Sequence, residues 1–154
     1  PILSRREQRM TTARDLLDRK GNQVFTIGPN ETVLEAARRM NEAHIGAVVV
    51  VDATLGMIGI LTERDILTQI VAESRPADQT RVSEVMTTKV VSCSPEMPVP
   101  ECQELMSRRR MRHLPVVENN QLIGLISTGD VMAHEVAQQQ VTIEYMHQYI
   151  HGRA

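Results

Sequence analysis

The chain has 154 residues, a formal net charge of -2, 42% apolar and 23% charged residues, and only 2% aromatics. That length can bury one core or two small halves that share an interface. The acidic balance and scarcity of rings argue against phosphate tracking and base stacking, and the longest apolar run, Ala47 to Val51, is far too short to cross a bilayer.

The opening PILSRREQRM carries charge without the apolar core of a secretory signal, so a cytoplasmic location is expected. An initial Pro fits either removal of an initiator Met or excision from something longer. Cys93 and Cys102 show neither CxxC spacing nor a His/Cys cluster, so both are expected as reduced, half-buried packing residues, with no metal site.

In chain order, Val24 to Ile27 reads as a short β-strand. Thr32 with Glu35 three residues on is a capping box, opening a helix whose apolar face is Val33, Ala36, Ala37 and Met40. Ala47 to Val51 is too β-branched and short for a helix and predicts a buried strand. A turn at Gly56 leads to a second strand, Met57 to Leu61, and Thr62 starts a helix running to about Ala72. Residues 73–80, ESRPADQT, form a linker. Past the second unit, Val141 to Gly152 forms a helical tail with Ile143, Met146 and Ile150 on one face and Gly152 as its stop. That face is expected to pack against something, with a partner subunit or an exposed flank of the assembly as its seat and a contact with a target protein as the alternative.

The order strand, helix, strand, strand, helix occurs twice. Pro29 lines up with Pro95, Val33 with Val99, Met40 with Met106, and Val50-Val51-Asp52 with Val116-Val117-Glu118. After one gap in the turns, Gly59 meets Gly124, Thr62 meets Ser127 and Asp65 meets Asp130. Length changes at a turn are what a structural repeat tolerates. The expectation is a mixed α/β (α+β) chain of two β-α-β-β-α repeats, 12–72 and 81–137, followed by a tail over 138–154. A unit this small exposes a sheet face, so the two are expected to pack sheet to sheet with pseudo-two-fold symmetry.

The segments ARDLLDRKG, GILTERD, SEVMTTKVVSCSP, RHLPVV and GLISTGD, taken together, resemble the cystathionine-β-synthase-type (CBS) domain family. The resemblance covers residues 12–137 and implies a Bateman module of the stand-alone bacterial sort. It implies regulatory binding of an adenosyl ligand, such as AMP, ADP, ATP, NAD(H) or S-adenosylmethionine. A homodimer and a separate regulated protein are implied partners. No nucleophile with its base, P-loop or metal cluster is apparent, so a binding role and not an enzyme is expected.

By that resemblance Asp65 and Asp130 accept bonds from ribose hydroxyls, while Thr62 and Ser127 touch ribose or phosphate. A carboxylate suits a diol because it can accept two bonds. The same S/T-x-x-D spacing is also a helix cap that needs no ligand. Arg112 and His113 stand where the family places basic side chains toward phosphate, whereas the first repeat has Gly46 and Ala47 there. Lys20 and Arg64 are the candidates to supply the missing charge to the first repeat, and Thr88 and Lys89 are weaker candidates in the second. Two further readings stay open: a structural dimerisation module without ligand, and nucleic-acid binding through the Arg108 to Arg112 patch. His44, His134, His147 and His151 are read as surface or helix-end residues.

Overall fold

The structure, a computed structural model, describes residues 11–21 and 23–151. They fall into two compact units, one built from Gln23–Ser92 with Val117–Gly124, the other from Cys93–Val116 with the described residues before Gln23 and those from Leu125 to His151.

In the unit built on Gln23–Ser92, β1 (Thr26–Ile27) pairs in parallel with β2 (Ala47–Asp52), and β2 pairs antiparallel with β3 (Gly56–Thr62). Ala47 to Val50 are all buried, as the continuous β-branched run predicts. Between β1 and β2, α2 (Val33–Ala43) starts at Thr32, whose Oγ1 accepts from the Glu35 N–H at 3.2 Å. It ends at His44 in the left-handed region, φ 54. Val33, Ala36 and Met40 are buried in a core with Ile27, Val48, Val50, Leu61, Ile70, Val82 and Val85, while Ala37 lies at the edge of that face.

The helix after β3 differs from the regular one expected. It is one α-turn, α3 (Glu63–Ile66), followed by a π-helical turn, Leu67–Val71. Such wide turns interrupt the i→i−4 ladder and recur near functional sites. The supposed linker is also more than a spacer. Thr80 is buried and donates its hydroxyl to the Pro76 carbonyl, and its own carbonyl accepts from Val33 N–H, which seats the short helix α4 (Val82–Val85) beside the start of α2.

In the other unit, α1 (Ala13–Lys20) is held in the same way. Its first N–H groups donate to Met97 and Pro95 carbonyls, and Val99 N–H donates to Thr11. The compact units therefore exchange their opening helices relative to the sequence repeats. α1, which opens the first repeat, packs with the second, and α4, which opens the second, packs with the first.

The second repeat keeps the pattern with one loss. Its first strand shrinks to a single parallel bridge between Cys93 and Val116. Next come α5 (Val99–Arg109), ending at Arg110 with φ 51, then β4 (His113–Glu118) and β5 (Gln121–Ser127). The two strands turn through Asn119 and Asn120, both at positive φ, as a two-residue hairpin turn requires. Finally α6 (Thr128–His151) runs unbroken through the point near Ala137 where a separate tail was expected to begin. Gly152, the expected stop, lies outside the described residues. α1 and α5 both pack on α6.

Cys93 and Cys102 are fully, not half, buried in this unit. Contact with the Cys102 thiol, reinforced by burial, pushes the Cys93 pKa far above the ordinary thiol range. His134 is also buried, a correction to its reading as a surface residue. Its Nδ1 lies 3.2 Å from an Arg19 guanidinium nitrogen. Because guanidinium only donates, Nδ1 must accept, so the ring is neutral with its proton on Nε2. Burial, followed by the Arg19 charge, holds its pKa below the usual histidine value.

Candidate functional site

The first repeat assembles Gly46, Ala47, Thr62 and Asp65 at one end of β2 and β3. Ala47 is the register partner of Thr62, and the Gly46 carbonyl accepts from Glu63 N–H at 3.0 Å. Thr62 and Asp65 close a full capping box. Asp65 N–H donates to Thr62 Oγ1 at 3.2 Å, while Asp65 Oδ2 accepts from the Thr62 N–H and hydroxyl, both at 3.0 Å. A third side chain reaches the same carboxylate: Thr87 Oγ1 lies 3.2 Å from Oδ1 and 3.4 Å from Oδ2.

Thr87 is there because Gly59 has no side chain. Residues 86–87 lie against β3 through two backbone bonds between Ile60 and Thr87, of 3.0 and 2.9 Å. A Cβ at Gly59 would stand 2.6 Å from Met86 Sδ and 3.0 Å from the Thr87 carbonyl oxygen. Sequence reasoning named the neighbour, Thr88, instead. Thr88 is exposed and uses its carbonyl to accept Val90 N–H, and Lys89 is exposed beside it. Both lie in the stretch Gln23–Ser92, within the compact unit of the first repeat. Arg64 is exposed on α3.

The second repeat copies the junction with different chemistry. The Arg112 carbonyl accepts from Thr128 N–H at 2.9 Å, matching Gly46 and Glu63. Asp130 Oδ2 accepts from Ser127 N–H at 2.8 Å, and Asp130 N–H donates to Ser127 Oγ at 3.2 Å. Lys20 Nζ then donates to Asp130 Oδ2 at 2.7 Å and to the Leu125 carbonyl at 2.8 Å. This corrects the expectation for Lys20: the ammonium serves the second repeat, because α1 packs there, and leaves the first repeat without it. His113 begins β4 half-buried, and Arg112 before it is exposed.

Electrostatics follow the partners. Burial pushes the Asp130 pKa up, but the Lys20 ammonium and the Ser127 bonds outweigh it and leave the carboxyl below its ordinary value. Asp130 also stands in the first turn of the 24-residue α6, where the helix dipole favours negative charge. Of the Arg108 to Arg112 patch, Arg108 is paired with Glu104 on its own helix at 3.0 Å. Among the described residues no group of three or more His, Cys, Asp or Glu is placed to hold a metal ion, and no helix is long and apolar enough to cross a membrane.

The comparisons agree with this architecture. The CBS domain family model matches residues 12–72 and 82–136. CBS domain-containing protein YhcV of Bacillus subtilis is 39% identical over 138 residues, 87% of this chain and 96% of that protein. The crystal structure of the CBS-domain containing protein ATU1752 from Agrobacterium tumefaciens superposes with a TM-score of 0.77 and 42% identity, covering 81% of this chain and 99% of that one. The CBS domain pair of protein MJ0100, in complex with 5'-methylthioadenosine and S-adenosyl-L-methionine, shares the fold at a TM-score of 0.75 and 23% identity, covering 84% and 99%. With two matched segments that together span most of its length, and the β-α-β-β-α pattern twice over, this chain belongs to the CBS-domain family.

Proposed function

We propose that this protein is a regulatory sensor that binds an adenine nucleotide, of the AMP, ADP, ATP or NAD type, as a homodimer and acts on a separate partner protein. The observation that carries the reading is the duplicated strand-to-helix junction, in which Asp65 and Asp130 each sit at a helix start beside a hydroxyl-bearing cap. Ribose presents two vicinal hydroxyls, and a fixed carboxylate is the matching acceptor. In the second repeat the Lys20 ammonium and Arg112 add positive charge for a phosphate and His113 adds an imidazole that can donate a hydrogen bond, while Gly46 and Ala47 leave the first repeat without such groups at that place. The MJ0100 complex supports the ligand class, since both its ligands are adenosyl compounds. A ligand shifts the protein's conformational equilibrium only by its differential affinity for the two states, and that shift is what a partner would read.

Titration calorimetry with AMP, ATP, NAD(H) and S-adenosylmethionine tests this. Heat from at least one is expected, weakened by Asp65→Asn and Asp130→Asn. Silence across the panel, together with thermal stability unmoved by nucleotide, would end the proposal. It would favour instead a dimerisation module without ligand. That second reading draws on the closed capping boxes and the Lys20–Asp130 pair, which satisfy both carboxylates internally.

A further inference from the structure

The family match ends at residue 136, yet α6 continues to His151, and every residue from Glu135 to His151 is exposed. Met132, Val136, Ile143, Met146 and Ile150 are between 54% and 65% exposed. With Gln139 completing the series, they follow one another in alternating steps of four and three residues. A mean step of about 3.5 residues is the period of a two-stranded coil, in which the seam stays turned toward a second helix.

We infer that the α6 extension is a self-pairing surface, along which two copies of this chain align in parallel and in register. A second copy is the occupant that Gln139 selects. It is the polar member of the seam, and across an in-register two-fold pair its own amide offers it both a donor and an acceptor at that level. An apolar partner helix would bury that amide without compensation.

Charge allows the same arrangement. With Ile143 and Met146 on the seam, Glu135 of one copy flanks Gln140 of the other, and Thr142 flanks His147, so no like charges oppose one another. Glu144, the acidic residue between Gln138 and His151, lies off the seam. The inference rests on the homodimer reading above and is independent of nucleotide binding.

Sedimentation equilibrium of the full chain, wild type against an Ile143→Asp, Met146→Asp double variant, tests the surface. Removing two seam residues from each helix is expected to weaken self-association on the order of 100-fold. Because these side chains are exposed, circular dichroism of the variant should retain the signal of the folded units. A second arm needs no destabilising change: under a mild thiol oxidant, Met146→Cys should form a covalent dimer and Gln148→Cys, on the opposite face, should not. The native Cys93 and Cys102 are buried and serve as an internal control. A wild-type dimer that is unaltered by the double variant, or equal cross-linking at 146 and 148, overturns the inference while sparing the homodimer. A monomeric wild type overturns both.

Discussion

The two repeats hold the same backbone junction with opposite chemistry. In the first, the helix after β3 is tied to α4 by Gln69, whose side-chain amide donates to the Val85 carbonyl at 2.9 Å, and Asp65 is met by the Thr87 hydroxyl. In the second, the matching positions are His134, tied to Arg19 of α1, and Asp130, tied to Lys20 of α1. At these two positions uncharged partners, Gln69 and Thr87, serve the first repeat and cationic ones, Arg19 and Lys20, the second, while α4 also carries an ion pair of Glu84 with Arg75 at 3.3 Å. A repeat can therefore conserve its geometry while placing the histidine and the lysine–carboxylate pair of this junction in one copy.

The largest effect should come from removing the close approach that seats Thr87. Gly59→Ala sets a Cβ against Met86 and the Thr87 backbone, and is expected to cost about 1 to 3 kcal/mol in denaturant unfolding. It should also weaken any ligand of the first repeat more than of the second. An unchanged midpoint would show that residues 86–87 can move off β3 freely.

Acid should separate the repeats next. The folded pKa of His134 lies below its unfolded value, so the unfolded chain binds the extra proton and stability is lost as pH falls through the ordinary histidine range, near about 6.5. His134→Gln, which imitates Gln69, should flatten the stability profile between neutral pH and that range. Asp130 adds a second step at lower pH. Its depressed pKa contributes stability that is present above the ordinary carboxyl value and lost as pH falls through the folded one. Hydrogen exchange should show α1 loosening in acid before α4, and simultaneous loosening would break the comparison.

Lys20→Met should cost less, within about 1 kcal/mol, since the pair is partly exposed and solvent screens it. Its clearer readout is the Asp130 carboxyl in an NMR titration, expected to move up toward the ordinary range. Anionic nucleotides should lose affinity relative to uncharged adenosine. The smallest change is Thr87→Val, about 0.5 kcal/mol for an exposed hydroxyl bond, with the Asp130 signal unmoved.

Much of the fold was legible from pattern. The capped helix at Thr32, the buried run from Ala47 and the turn residues are local signals, and their recurrence identified the repeat. Legible too was the pairing of Thr62 with Asp65 and Ser127 with Asp130, because a capping box is written within four residues. Thr87 was missed by one position. Its contact depends on how closely a second segment approaches Gly59, which no local pattern reports. His134 was misread because a single imidazole gives no local sign of the helix that will cover it.

Sequence by itself determined the two β-α-β-β-α units, their internal correspondence and the carboxylate at each helix start, since these follow from periodicity and short-range hydrogen bonding. Tertiary structure alone decided which opening helix serves which repeat. Lys20 lies 45 residues before Asp65 and 110 before Asp130, yet it pairs with the more distant carboxylate. Chain separation adds only a slowly growing entropy to such a contact, whereas the backbone bonds of α1 to Pro95 and Met97 fix where the ammonium can reach.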